Sequence, residues 1–254
     1  MKQLVKKNIK ASDKKIIVAD KTRVFILDYV DRLSAVSTLP IFIGRESQVQ
    51  YVFILDHNLS SSLKINREIH IADRAKVDSY QVYFGRGDYQ VNINNHLGKN
   101  VILNSQGLFW PKKQQILQVQ DNDIFTARSA VGKFKVIGLV DDSASAQYYA
   151  NVTLKPEAQL SEARIDLSLH LLSSTARGRL LPGLKIAAND VKAGHSASTF
   201  HLAPEDLFYL QTRGLSPAKI KVLVINSIAG QFVSGIKDET TKNLILKLIK
   251  KRSD

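Results

Sequence analysis

Residues 181–214 read LPGLKIAANDVKAGHSASTFHLAPEDLFYLQTRG, and two different sequence patterns meet in this stretch. Upstream, short apolar segments rich in Val, Ile and Phe follow one another, as is typical of strands. Downstream, apolar residues recur at helical spacing. Between the two patterns lie a Pro-Gly pair, a histidine among small residues and the start of a helix. The stretch therefore predicts a boundary between a β architecture and a helical one.

The upstream segments are short, and their starts lie roughly 10–20 residues apart. Residues 133–137, KFKVI, alternate polar with apolar side chains, which indicates one buried and one solvated face. Because Asn-Gly and Asp-Gly pairs are missing, hairpins are not indicated and a stacked solenoid is favoured, with a β-sandwich as the open alternative. Single residues in the pattern are interpreted as its corners: Gly107, Asn122, Gly132 and Gly138.

Three helices are predicted downstream. Pro204 suits the first turn of a helix that Gly214 ends. Ser216 and Pro217 then supply an N-cap and a first helical residue. A third helix begins near Asp238 and ends in basic residues, which interact favourably with a helix C-terminus.

The charge of the chain is strongly basic. It has 36 Lys and Arg against 23 Asp and Glu, a net charge of +13, and residues 1–23 hold eight of the basic residues. Basic clusters pair with phosphates, so a basic β-solenoid that binds nucleic acid is one interpretation. Against nucleic acid, five aromatic residues lie in apolar runs and are predicted to be core residues: Phe42, Phe53, Tyr83, Phe84 and Phe109.

The chain contains no cysteine, which excludes disulfides, thiolate metal sites and thiol nucleophiles within it. No run of about 18 apolar residues occurs, so we expect no membrane span. The first ten residues are basic but no apolar stretch of a secretory signal follows them, so we expect a cytoplasmic location.

Of the six histidines, none forms a recognisable metal-ligand spacing. His70 and His170 are predicted as ordinary strand residues, His96 as a turn residue and His57 as a loop residue. His195 differs, because only small residues surround it in KAGHSAS. A neutral imidazole there could ligate a transition metal, although a histidine that hydrogen-bonds a tight turn fits the same pattern.

No catalytic motif is legible in the sequence. Neither a nucleophile elbow nor a phosphate-binding loop is present. A β-helix enzyme acting on polysaccharide would need clustered acids, and it stays as an alternative. The pairs Asp141-Asp142 and Asn189-Asp190 are expected in turns or caps rather than as general acids.

Several ordered motifs resemble the SufB/SufD family, the scaffold subunits of the SUF iron–sulfur cluster assembly system. The family pattern is approximately LLLS, PxLEI, DDVKCSHGA and FYLxSRG, preceded by KGVLxDxS. The resemblance extends over roughly residues 90–232. Its motifs lie at residues 135–142, 171–174, 181–186, 189–197 and 208–214.

The resemblance implies a mainly β protein: a right-handed parallel β-helix over residues 1–200, with the basic segment 1–23, and a small α-helical domain over 201–254. It also implies a homodimer, or a heterodimer with a SufB-like subunit, joined through the β-helix ends. A SufC-like ABC ATPase would dock on the helices. The subunit itself is expected to be non-catalytic. The residues expected to contact the ATPase are Leu207, Phe208, Leu210 and Arg213.

In SufD-like members of this family, the histidine of the CSHG motif is implicated in cluster assembly at the interface, and His195 occupies that position. The motif cysteine is replaced by Ala193, and the glycine after the histidine by Ser196. Iron–sulfur clusters are normally held by thiolates. The chain therefore resembles SufD rather than SufB. We expect a transient Fe–S cluster shared with a partner, and none stably bound by this chain alone.

Overall fold

The computed structural model describes residues 5–10, 13–30, 38–56, 63–85, 87–201 and 204–253. Within them the protein is a parallel β-solenoid followed by three helices, which confirms the predicted fold class and rejects the β-sandwich. Successive strands alternate between two sheets, and each strand pairs in parallel with the strand two before it. Each turn of the solenoid therefore adds one strand to both sheets.

The eight-stranded sheet contains the odd-numbered strands: β1 (Val5–Asn8), β3 (Arg23–Val30), β5 (Gln48–Leu55), β7 (Lys76–Tyr83), β9 (Ile102–Phe109), β11 (Val131–Val140), β13 (Ser161–Leu171) and β15 (Val191–His201). The seven-stranded sheet contains the even-numbered ones: β2 (Ile16–Val18), β4 (Thr38–Ile43), β6 (Leu63–Ile71), β8 (Tyr89–Leu97), β10 (Ile116–Phe125), β12 (Ser145–Leu154) and β14 (Arg177–Ile186).

The corners between strands are formed by non-glycine residues in the left-handed region, and the predicted corners are wrong. Gly107, Asn122, Gly132 and Gly138 all lie inside strands. A Cβ atom at Gly138 would overlap the ring of Phe109, so this glycine makes room for a buried aromatic side chain. The residues with positive φ at the corners are Lys21, Glu46, Arg74, Asn100, Lys113, Ser129, Asp142 and Leu160.

The interior of the solenoid is mostly aliphatic, with two polar clusters inside it. In one, Arg67 and Tyr51 both hydrogen-bond Asp28. In the other, Tyr148 donates to Asp121, and Asn95 donates to Asp123. All of these side chains are buried, and each makes at least one hydrogen bond inside the solenoid.

The helices are α1 (Pro204–Thr212), α2 (Pro217–Val233) and α3 (Glu239–Ser253), close to the predicted bounds. Ser216 caps α2 by accepting a hydrogen bond from the Lys219 amide. α2 and α3 pack on the outer face of the eight-stranded sheet, where Phe232 meets the ring of Tyr80 edge-on at 5.7 Å. The part of this sheet under the helices, at β5 and β7, is thus buried on both faces, which explains the apolar run Tyr51–Leu55 of β5.

The outer face of the seven-stranded sheet is uncovered by any described element. Its strands alternate buried and partly exposed residues, and Phe42, predicted as a core residue, is 41% exposed there. The other four aromatic residues predicted to be core are buried. Among the described residues, no helix is long and apolar enough to cross a membrane.

Part of the basic N-terminal segment is a strand of the solenoid rather than a tail. β1 pairs with β3, and Lys6 forms an ion pair of 2.9 Å with Asp238 just before α3. This pair joins the first described strand to the helices that cover its sheet.

Candidate functional site

The last turn of the solenoid is open. β14 pairs with β12 and β15 pairs with β13, and within the described residues no strand pairs with their outer edges. Burial falls abruptly here: the side chains of β12 alternate between buried and half-buried, whereas none in β14 or β15 is fully buried. This end therefore offers unpaired backbone groups together with incompletely covered side chains.

His195 lies in this open end, in the column of residues that points into the solenoid. It pairs in register with Ile165 of β13, a fully buried core residue. Ala193, two positions earlier on the same face of the strand, packs on the edge of the interior core. His195 is nevertheless exposed, because no further turn among the described residues covers it.

The residues around His195 are a mixture of apolar and polar groups. Across the open end, Leu180 and Leu184 of β14 are half-buried against the core. Beside His195 on β15, Ser196 donates a 2.7 Å hydrogen bond to Asp166, which also accepts one from Arg164. The arrangement suits a contact with another subunit, in which an imidazole would be brought into a partly apolar interface.

The sequence pattern leaves open a tight turn at His195, and the structure places this residue inside strand β15. The small residues around it lie along the strand, where they leave the imidazole sterically accessible. Ala193, at the position of the motif cysteine, lies on the same face as His195.

Four residues were predicted to contact an ATPase, and three of them have described side chains. Phe208 is 69% exposed, Leu210 is half-buried and Arg213 is exposed. The side chain of Leu207 lies outside the described residues, although its backbone belongs to α1. Sequence reasoning missed Tyr209, which is 57% exposed and has the guanidinium of Arg213 over its ring at 5.3 Å. α1 thus carries an aromatic and cationic surface that the solenoid does not cover.

Asp141 and Asp142, which were considered as general acids, have structural roles. Asp141 is buried and forms an ion pair of 2.6 Å with Lys221 of α2. Asp142 lies at a corner with positive φ, and its side chain accepts from the Lys113 amide. Asp121 and Asp123 are clustered, but they lie inside the solenoid.

A second group of candidate ligands lies on the uncovered face of the seven-stranded sheet, and sequence reasoning missed it. Glu68 and His70 are neighbours on the outer face of β6, and His96 of β8 pairs in register with His70. Their potential ligand atoms all lie within 4.8 Å of one another. The His96 Nε2 atom is 2.5 Å from Glu68 Oε1, and the two imidazoles stack with ring centroids 4.6 Å apart.

Knowledge of the number of residues in one solenoid turn would have revealed this group. His70 and His96 are one turn apart, so a parallel ladder brings them together although they are distant in sequence. His96 was predicted as a turn residue, yet β8 continues to Leu97. His57 lies outside the described residues, and His170 stacks on Phe200 at 4.9 Å in the eight-stranded sheet.

Comparison with known protein families agrees with the fold and the motifs. The family model described as SUF system FeS cluster assembly, SufBD core domain, matches residues 7–228. The chain belongs to the SufBD core domain family. The match extends from β1 into α2, and so reaches well upstream of the motifs recognised in the sequence.

Curated SufBD relatives include two proteins named iron–sulfur cluster assembly protein SufD. The one from Escherichia coli is 22% identical over 84% of this chain and 50% of its own length. The one from Bacillus subtilis is 24% identical over 89% of this chain and 44% of its own length. A SufBD family protein from Synechocystis is 36% identical over 39% of this chain and 22% of its own length. The chain thus spans about half the length, or less, of these relatives.

Within the matched region, the open end and α1 coincide with two of the motifs recognised in the sequence. The motif that contains His195 leads into β15 and forms its first part, and the motif at residues 208–214 forms the second half of α1 and its end. Membership in the family associates the chain with iron–sulfur cluster assembly. The histidine pair on the seven-stranded sheet lies outside both motifs.

Proposed function

We propose that this protein is a non-catalytic, SufD-like subunit of a cytoplasmic scaffold on which iron–sulfur clusters are assembled. The observation that carries the proposal is the open last turn of the SufBD core, where His195 lies in the interior-facing column without a covering turn among the described residues. A second subunit seated on this end would cover the leucines of β14 and bring its own side chains to His195. That subunit is a second copy of this chain or a SufB-like paralogue.

In this assembly the Fe–S cluster is cargo, shared between subunits. His195 contributes an imidazole ligand, and the partner contributes the thiolates, because this chain has no cysteine. A SufB-like partner is therefore preferred to a second copy, because two copies of this chain would bring two imidazoles and no thiolate to the interface.

The second part of the proposal is that a SufC-like ABC ATPase docks on α1. Exposed Phe208 and Tyr209 supply apolar area, and Arg213 supplies a cation beside them. Aromatic residues and arginine are the types that most often dominate interface energies. α2 and α3 cover the outer face of the eight-stranded sheet, and α1 lies at the side of this layer.

The scaffold is tested by co-expression with a SufB-like protein and anaerobic reconstitution with iron and sulfide. We expect a visible Fe–S absorbance on the complex and none on this chain alone. Leu184→Arg should abolish the complex, because a cation would enter the apolar open end. His195→Ala should leave the complex intact and lower the amount of bound cluster.

Ile116→Arg is the matched control, since Ile116 is an exposed apolar residue on another strand. It should change neither the complex nor the cluster. A stable cluster on the pure chain, or a complex insensitive to Leu184→Arg, would contradict the proposal.

Docking of the ATPase is tested with point variants rather than by deleting the helices, because deletion would uncover the apolar face of the sheet. Phe208→Ala with Tyr209→Ala should weaken binding in a pull-down at least about tenfold, with unchanged thermal stability. Ile17→Ala, at an exposed apolar residue of β2, serves as the control. If the wild type, the double variant and the control bind the ATPase equally well, α1 is not the docking surface.

A further inference from the structure

Glu68, His70 and His96 combine ligand types that are found together in metal centres. Glu68 and His70 lie two positions apart on β6, so both project from the outer face of the sheet. The register of β6 and β8 places His96 beside His70. We propose that these three side chains bind a divalent first-row transition-metal ion, of the zinc or ferrous type, on the outer face of the seven-stranded sheet.

The donor set fits such an ion. Two imidazoles and one carboxylate are characteristic ligands of zinc and of non-haem ferrous iron, with remaining positions left to water or another ligand. Hard ions such as magnesium and calcium prefer an all-oxygen environment, which this group does not provide. The site carries one formal negative charge, which partly neutralises a divalent cation.

The distances require little rearrangement. Metal–nitrogen and metal–oxygen bonds of about 2.0–2.2 Å bring ligand atoms to roughly 3–3.5 Å from one another in a tetrahedral site. The ligand atoms already lie within 4.8 Å, and one pair is in direct contact at 2.5 Å. Rotations of the partly exposed side chains close the remaining gap. When the ion binds His96 Nε2, a metal–nitrogen bond replaces the hydrogen bond between that nitrogen and Glu68 Oε1.

The surrounding residues orient the ligands. Asn94 donates a 2.8 Å hydrogen bond to Glu68 Oε2, which leaves Oε1 directed at His96. The Asn94 amide is itself fixed by a hydrogen bond from Asn122 on the next turn. Phe42 stacks on His70 with centroids 5.0 Å apart and ring planes 8° from parallel. Such outer contacts restrain ligand geometry and raise metal affinity.

His170 provides a matched control. It stacks on Phe200 at 4.9 Å much as His70 stacks on Phe42. No second histidine or carboxylate joins it in any described cluster of three candidate ligands. A partly buried, stacked histidine is thus present at both positions, and only one of them has the co-ligands.

The test uses the full chain without a histidine tag. Co²⁺ is added as a spectroscopic probe, and Zn²⁺ affinity is measured by competition with a chromophoric chelator. We expect one ion per chain and a visible Co²⁺ absorption band. Glu68→Gln, His70→Ala and His96→Ala should each weaken Zn²⁺ binding at least about 100-fold, and Asn94→Ala about tenfold, because loss of an orienting contact costs about 10–100-fold.

Glu68→Gln keeps the size and hydrogen-bonding capacity of the side chain, so its thermal stability without metal should match that of the wild type. His170→Ala and His195→Ala should leave the Zn²⁺ affinity unchanged. The proposal is overturned if Glu68→Gln and His96→Ala bind as tightly as the wild type. It is equally overturned if His170→Ala or His195→Ala causes the same loss, since binding would then be adventitious or would belong to the open end.

Discussion

Arg67 reaches Asp28 through two hydrogen bonds inside the solenoid, with Nε 2.6 Å from Oδ2 and Nη2 3.1 Å from Oδ1. Both side chains are almost completely buried, and Tyr51 donates a third hydrogen bond to the same carboxylate. A buried charge pair inside the core therefore joins β3 to β6, one strand from each sheet.

Asp28→Ala should destabilise the protein by about 3–5 kcal/mol, because it deprives a buried guanidinium of its carboxylate. Urea unfolding measures the loss. The control is Glu162→Ala, which breaks a 3.2 Å ion pair with Lys192 in which both side chains are exposed. That change should cost less than about 1 kcal/mol. If the two variants lost similar amounts of unfolding free energy, burial of the Asp28–Arg67 pair would not make it more stabilising than an exposed ion pair.

Asp121 should make stability depend on pH. Burial raises the pKa of Asp121 to about 6, although hydrogen bonds from Tyr148 and Gln81 oppose the shift. The folded state therefore holds a proton that the unfolded chain releases near pH 4. This contribution to stability is complete below about pH 4 and is lost as the pH rises through about 6.

In the Asp121→Asn variant, this residue no longer lowers the stability as the pH rises. Relative to the wild type, its free energy of unfolding should rise by about 3 kcal/mol between about pH 3 and pH 8. Because the pKa of Asp123 is also raised well above its usual value, again mainly by burial, the double Asn variant should gain more. A difference between wild type and variant that stays constant over this pH range would contradict the assignment.

Arg252 fastens α3 to the solenoid. Its Nε donates to the Trp110 carbonyl at 2.7 Å, and its other nitrogens contact the Phe84 carbonyl and Gln115. Arg252→Ala should cost about 2–3 kcal/mol, because buried acceptors lose their donor. Hydrogen exchange should accelerate throughout α3. Lys251→Ala, at the exposed neighbouring residue, should change stability by less than about 0.5 kcal/mol.

Gly138 and Gly230 should respond in opposite directions to alanine. In β11, Gly138→Ala places a methyl group against the Phe109 ring and should destabilise by about 1–3 kcal/mol. Phe109→Leu in the same chain should recover part of that loss. In α2, a methyl group on Gly230 would meet no atom within 4 Å, so Gly230→Ala should stabilise by about 0.5–1 kcal/mol. Calorimetric melting temperatures check both signs.

The fold was predictable where short-range patterns decide it. Alternation identifies the strands, and Ser216 with Pro217 identifies the start of α2 because capping is a local interaction. The prediction of a corner at Asn122 was wrong, because this residue lies within β10 between Asp121 and Asp123. The two aspartates accept hydrogen bonds from Asn95 and Tyr148 on neighbouring turns of the solenoid, and a single segment of sequence does not show such partners.

The site was predictable only in part for the same reason. His195 could be singled out from its motif, but its place in the interior-facing column depends on pairing with β13. His70 and His96 belong to separate strand patterns, and no sequence repeat sets the length of the turn that joins them. Contacts between turns therefore require the register, which local periodicity does not supply.

The cover formed by α2 and α3 has a consequence for biosynthesis. Trp110, Phe84 and Val52 leave the ribosome long before the residues that will shield them. A nascent chain that has completed β9 thus presents a broad apolar flank to solvent while the residues of both covering helices are still to be translated. Such intermediates are prone to aggregate. Slow elongation or chaperone depletion should therefore reduce the yield of this protein even when its finished form is stable.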